Sequence, residues 1–407
     1  LCRWRDPERT LGARLIRGVL RRPLAATLVA GGGLVLLAIP AFGLHTITPG
    51  VESLPRNLDA IQAYDKVDRD FPGGPEPAQV VIEADDVDDP AVREGIAALE
   101  GEVESRDRFG PALSTATSPD GRVAGVDVPL AGTGTDDRSI AALDELRGEV
   151  IPRTIGSVPG AEVNVTGMTA GSEDFNDLMR SHAPWVFVFV LAAAFLLLLV
   201  AFRSVVIPAT SILLNLLSVG AAYGLLVWVF QEGHLEGLLG FESGGGITAW
   251  LPLFLFVVLF GLSMDYHVFI LSRIKEAHDR GLDTAAAIET GLRRTAGPVT
   301  SAAIVMVAVF SIFATLSMIE FKQVGVGLAA AVLIDATVVR GVLVPATMRL
   351  LGRRNWYLPR WLEWLPRFEI EGPPPVVAGA APDGAEGPGP DRPDPDCPER
   401  RPAPARA

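Results

Sequence analysis

The stretch AWLPLFLFVVLFGLSMDYHVFIL, residues 249–271, is uncharged from Ala249 to Met264, then presents Asp265, Tyr266 and His267 before returning to apolar side chains. A helix needs about 20 predominantly apolar residues to cross the hydrocarbon core of a bilayer, so the stretch reads as a membrane span carrying a carboxylic acid. An acid at a helix centre costs roughly 2.5–3.5 kcal/mol on insertion scales, and such residues usually face a bundle interior and serve ion or substrate movement. A carboxyl beside a phenol can take up and release a proton, which makes Asp265 and Tyr266 the candidate relay. The bland alternative is an Asp that hydrogen-bonds a neighbouring helix for packing alone. Gly261 lets another helix approach closely, Ser263 precedes the pair, and Val268, Phe269 and Ser272 share the face of Asp265 at i+3, i+4 and i+7. His267 points to another face, where it is a second protonatable group or an interfacial His.

Five more runs have the length and apolarity of spans. With the first stretch they are Pro23–Leu44, Pro184–Phe202, Val205–Phe230, Ala249–Leu271, Pro298–Met318 and Val324–Leu350, and Pro23, Pro184 and Pro298 stand near the starts of three, where a missing N–H costs nothing. The chain of 407 residues is 49% hydrophobic although it holds 42 Gly and 32 Pro, which agrees with a polytopic α-helical membrane protein of six transmembrane helices. Lys and Arg set the orientation. Arg3, Arg5, Arg9, Arg14, Arg17, Arg21 and Arg22 precede the first span, Arg273, Lys275, Arg280, Arg293 and Arg294 follow the fourth, and Arg349, Arg353 and Arg354 follow the sixth, whereas 231–248 has neither residue type. The positive-inside rule places these ends, and both termini, in the cytoplasm of a cell bounded by its plasma membrane.

Residues 45–183 then form an extracytoplasmic domain. Its patterns predict a helix over Leu58–Asp70, then strand Gln79–Ala84, helix Pro90–Ser105, strands Ala112–Thr117 and Arg122–Leu130, helix Asp136–Ile151 and strand Ala161–Thr166. A last helix from Thr169 runs into the second span. The β-α-β-β-α-β order predicts an α+β ferredoxin-like domain. The full plan is a basic cytoplasmic segment over 1–22, the first span over 23–44, this domain over 45–183, a five-helix bundle over 184–350, a cytoplasmic amphipathic segment over 351–371, and a disordered tail over 372–407 whose Pro, Gly and charge cannot offset ordering entropy.

The sixth span carries further buried charge, Asp335 and Arg340. Their five-residue separation puts them on different faces, so no direct ion pair is expected. Asp335 is expected to fix helix packing while Arg340 snorkels toward the cytoplasm. The small residues of Gly325-Val326-Gly327-Leu328-Ala329-Ala330-Ala331 suit tight helix contact. Glu320 and Lys322 fall at an external turn and need no special role. The net charge of −13 is concentrated in the extracytoplasmic domain and the tail, so it marks solvated surface, and nothing resembles a nucleic-acid footprint. No P-loop, G-x-S-x-G elbow or H-E-x-x-H motif is present, and Cys2 and Cys397 have no metal-ligand spacing. Neither an enzyme activity nor a cofactor is expected. Asp265 with Asp335 as an aspartyl protease pair lacks the characteristic G-x-G-D.

The runs GLSMDYHVFILSRIKEAHDRG (261–281), TAGPVTSAAIVMVAVFSIFATLS (295–317), KQVGVGLAAAVLIDATVVRGVLVPA (322–346) and GRRNWYLPRW (352–361) resemble the MMPL family of the RND superfamily, known from actinobacteria, whose helices are similar to sterol-sensing domains. The resemblance spans Arg22 to about Pro366. It implies proton-driven export of lipids or other hydrophobic molecules, with an extracytoplasmic porter domain and six helices in each of two repeats. It places the family's Asp-Tyr pair on Asp265 and Tyr266 with Phe269 in the adjoining pocket, and no role transfers to His267. Only the second repeat is matched. The partner pair is therefore expected from a separately encoded repeat, from a second copy of this chain, or from sequence preceding Leu1. The implied partners are membrane lipids, a hydrophobic or lipid substrate, protons, and a second repeat or homo-oligomer. A lipid-binding scaffold similar to a sterol sensor is the alternative.

Overall fold

In the computed structural model, which describes residues 17–365 apart from 49, 51–57, 71–76 and 111–114, six helices are long and apolar enough to cross a membrane. The basic stretch up to Arg14, residues 112–114 of the expected strand Ala112–Thr117 and the expected tail from 372 lie outside the described residues.

The first span, α1 (Pro23–Ala38), starts with Pro at its first turn and ends in a 3₁₀ turn over Ile39–Gly43. After it come β1 (Thr46–Ile47) and α2 (Asp59–Asp70). The α+β region follows as β2 (Ala78–Glu83), α3 (Pro90–Glu104), β3 (Thr115–Thr117), β4 (Val123–Val128), α4 (Asp137–Glu145) and β5 (Glu162–Thr166). This is the element order expected from the alternation of apolar residues. The four strands form one sheet in the order β3-β4-β2-β5, each neighbour antiparallel. One face is apolar. Val80, Ile82, Val126 and Val128 from the central strands pack with Leu99 and Val103 of α3 and Leu143 of α4. Asp136 caps α4: its Oδ1 accepts from the N–H groups of Thr133 and Ser139 and from the Ser139 hydroxyl. Partial burial works against its charge, and these hydrogen bonds outweigh it and hold the carboxyl below the usual range. Arg106 joins the two helices, 3.0 Å from Glu102 and 2.5 Å from Glu145.

From β5 the chain turns at Gly167, whose φ of 118° suits a residue without Cβ, straight into α5 (Met168–Phe202, 35 residues). Arg147 ties the start of α5 to the sheet, bonding Asp174 at 2.6 Å and the Val165 carbonyl at 3.1 Å. The next spans are α6 (Val206–Leu226, continued by a π-helical turn to Gln231), α7 (Leu251–Asp279), α8 (Thr284–Phe313) and α9 (Ile319–Ile334). The last of these continues through a π-helical segment, Asp335–Leu343, into α10 (Val344–Leu351). Hydropathy sees the apolar run and not the helix, so two boundaries move. The α8 helix starts well before Pro298, where the Asp283 carboxylate accepts the Ala286 N–H at 2.8 Å. The α7 helix runs past Leu271 into a charged turn held by Arg273–Glu276 and Arg280–Glu276 pairs. Pro184 and Pro298 are both inside helices rather than at their starts, as spanning helices tolerate.

The small-residue face of α9 does what its composition predicts. A Cβ at Gly325 would sit 2.5 Å from the Ala314 nitrogen and 2.7 Å from the Phe310 carbonyl oxygen, and one at Gly327 would sit 3.0 Å from Leu255. Lys322 departs from expectation. It is buried, and its ammonium donates to the Leu239 carbonyl at 2.5 Å, while Gln323 accepts from the Thr248 N–H and hydroxyl at 3.0 and 2.9 Å. The carbonyls of the 232–246 loop make this burial possible. The loop is pinned again by a short parallel pairing of β1 with β6 (Ile247–Thr248), which no periodicity announces.

Replacing Gly325 by Val is expected to destabilise the chain by about 1–3 kcal/mol through overpacking, read as a lowered melting temperature in detergent. Gly261→Ala, where an added Cβ meets nothing within 4 Å, leaves it unchanged. Equal melting of the two variants contradicts the packing described.

Candidate functional site

Helix α7 presents two opposite faces. Ser263, His267, Ile270 and Ile274 are buried, spaced as one helical stripe. Asp265 lies two residues, about 200°, from both Ser263 and His267, and it is exposed. The expectation that Asp265 looks into the bundle is therefore corrected: within this chain the inward polar groups are Ser263 and His267, and Asp265 looks outward. Phe254 and Val257, each 41% exposed, and Gly261 continue its stripe. Among the described residues nothing lies within 4 Å of a Cβ built at Gly261.

Tyr266 is one step round the helix and half-buried. Its hydroxyl donates to the Met306 sulfur at 3.5 Å, and the Arg340 guanidinium lies 4.6 Å from its ring centroid, within cation–π range. Arg340, 4% exposed, also donates to the Ser263 carbonyl at 2.9 Å, to the Ser263 hydroxyl at 3.3 Å and to Asp335. The absence of a direct Asp335–Arg340 pair was the wrong expectation, and the cause is the backbone. On an α-helix residues five apart are about 140° apart. Here both belong to the π-helical segment, whose i→i+5 hydrogen bonding widens each turn and stacks them on one side. Arg340 does not snorkel to a surface of the bundle, because its acceptors are inside.

Ser263, Tyr266, Asp335 and Arg340 thus line one cavity, joined by Asn215 and Ser218 of α6. Asp265 and Phe269 do not line it. Phe269 is half-buried with its ring 6.0 Å from the Arg273 guanidinium carbon. Asn215 and Ser218 were missed. Their signal is an i, i+3 polar pair inside an otherwise apolar span, the pattern of two side chains sharing an inward face. No cluster of metal-ligating side chains occurs among the described residues.

A family model described as MMPL family matches residues 52–367. The chain belongs to the MMPL family. It is similar to a membrane protein of Streptomyces coelicolor, 38% identical over 93% of this chain and 51% of the relative. It is also similar to the mycolic acid-containing lipids exporter MmpL11 of Mycolicibacterium smegmatis (36% identical, 88% of this chain, 38% of the relative). The heme uptake protein MmpL11 of Mycobacterium tuberculosis is 37% identical over 90% of this chain and 38% of the relative. The chain thus spans about half the length, or less, of the relatives it matches.

In this MMPL chain the buried Asp335–Arg340 pair lies within the last span, and Arg340 links it to α7 through the Ser263 carbonyl and hydroxyl. Removing one member of a buried pair leaves an uncompensated group and costs roughly 3–5 kcal/mol, whereas replacing both with apolar residues is often neutral or stabilising. Arg340→Met is therefore expected to lower the melting temperature in detergent more than the double variant Asp335→Leu/Arg340→Met. A double variant as unstable as the single one means that the two groups are not coupled.

Proposed function

We propose that this chain is one repeat of a proton-motive-force-driven exporter of lipids or other hydrophobic molecules in the plasma membrane. The observation that carries the reading is the outward position of Asp265. A carboxylic acid part-way along an apolar span and exposed on its surface is costly against lipid. A partner helix laid along Phe254, Val257, Gly261 and Asp265 removes that cost and creates a shared polar layer between two repeats. The resemblance supplies what the partner brings, a second Asp-Tyr pair, so that Asp265 and Tyr266 act as half of a proton relay. Phe269 and Ser263 flank that half, and Asp335 with Arg340 support it from the inner side. A membrane potential of 100 mV provides roughly 2.3 kcal/mol for each charge moved.

The rest of the chain is consistent with this reading. The β-α-β-β-α-β region, with central strands β4 and β2, is taken as a ferredoxin-like porter domain on the extracytoplasmic side. Arg273 lies toward the C-terminal end of α7, and Arg349, Arg353 and Arg354 lie at the end of the last span, followed in sequence by the exposed Trp361 and Trp364; positive charge and aromatic side chains of this kind mark a cytoplasmic interface. The lipid-exporting relative supports lipid as the cargo class.

The test uses vesicles in which the chain is reconstituted together with a complementary first MMPL repeat under an imposed pH gradient, with a fluorescent lipid as probe. Asp265→Asn is expected to abolish gradient-dependent lipid movement. Export by Asp265→Asn at the unmodified rate would refute the relay. Lipid binding that persists with no proton flux from either chain assigns the fold to a lipid-holding scaffold instead.

A further inference from the structure

Three side-chain atoms around the cavity have no hydrogen-bond partner although they are buried: Asn215 Nδ2, Asp335 Oδ1 and Arg340 Nε. Their residues are 3%, 7% and 4% exposed, and they come from α6 and the π-helical segment to line the same space with Ser218, Ser263 and Tyr266. A buried donor or acceptor left unmade is costly, and three in one place are unusual for a folded chain. The space open to the centres of water molecules is about 20 Å³, above the roughly 10–15 Å³ that one water needs. Its polar lining also satisfies the second condition, two to four partners for that water.

We infer that this cavity is a hydration site for a single water molecule, and that Asn215 is the residue that positions it. The donor and acceptor count fits one water. The water accepts from the Asn215 amide N–H and from the Arg340 Nε–H, and it donates to Asp335 Oδ1, which leaves its second hydrogen for the Ser218 hydroxyl oxygen. Each buried polar atom is then satisfied by one molecule. The arrangement also explains a division of labour in the Asp335 carboxylate. One oxygen is held by Arg340, and the other faces the water, so each oxygen of the buried acid has its own partner. An apolar filling of the cavity is excluded by the same atoms, since it satisfies none of them. The site goes beyond the export reading and stands whether or not the chain moves lipid.

The experiment is hydroxyl-radical labelling by X-ray radiolysis of the whole chain in detergent micelles, read residue by residue by mass spectrometry. Radicals formed from a bound water mark the side chains beside it. Met306 and Tyr266, at the cavity, are expected to oxidise severalfold faster than Met264 and Tyr223, which are packed elsewhere in the same bundle. Asn215→Leu removes that excess, Asn215→Ser retains it, and a melting temperature in detergent close to that of the unmodified chain reports an intact fold in both variants. Should Asn215→Leu fail to fold, Asn215→Val gives the same loss. Equal labelling of Met306 with Met264 and of Tyr266 with Tyr223 in the unmodified chain overturns the site, and an excess that survives the apolar substitutions overturns the role of Asn215. Neither readout depends on transport, so failure here and failure of the relay are told apart.

Discussion

A guanidinium that is 4% exposed inside a bundle has to find its acceptors among the helices around it, and much of the site is arranged so that Arg340 does. Arginine carries five N–H donors and cannot be neutralised at ordinary pH. It takes a carboxylate from its own helix, a backbone carbonyl and a hydroxyl from Ser263, and the face of Tyr266. The carboxylate is reachable only because nine residues of the last span, Asp335–Leu343, leave the α-helical winding. That widening in turn needs close packing on either side of it. Gly325 and Gly327 let the helix above it lie against α8 and α7, while Val344 and Met348 below it join an apolar cluster with Ile270 and Ile274.

How much of this was legible in the amino-acid order follows from what kind of physics each feature obeys. Spans announce themselves because lipid imposes a length of apolar residues, and strands of the α+β region do so because Val80, Ile82, Val126 and Val128 fall at every second position of short runs rich in β-branched residues. Both are local rules. The Asp335–Arg340 pair is illegible because spacing is converted to direction by assuming 3.6 residues per turn, and the winding there is set by partners far along the chain. Lys322 fails for a similar reason: its acceptor is the Leu239 carbonyl, and a backbone oxygen leaves no mark in sequence. Asn215 and Ser218 are visible in the sequence but silent until α6 is placed against α7.

Asp265 is the instructive case. Sequence shows that an acid stands in a span but not which way it faces, because the expectation that it points toward the helices of its own chain takes no account of longer assemblies. The buried stripe of Ser263 and His267 already occupies that side. The family match covers one part of longer relatives, which is the setting in which an outward acid makes sense: the inside of an assembly can be the outside of a single chain.

Helix α5 runs without a break from the edge of the four-stranded sheet to the turn at Arg203. At 1.5 Å per residue, its 35 residues make a rod about 52 Å long, clamped to the sheet by Arg147 and seated among the spans by Leu198 and Phe202. Such a rod has no slack. A tilt imposed on the sheet becomes a displacement of the second span at the far end, scaled by lever length, and the same torque runs backwards. Pro184, which lacks a backbone N–H, removes one i→i−4 hydrogen bond from the rod, so bending costs least there.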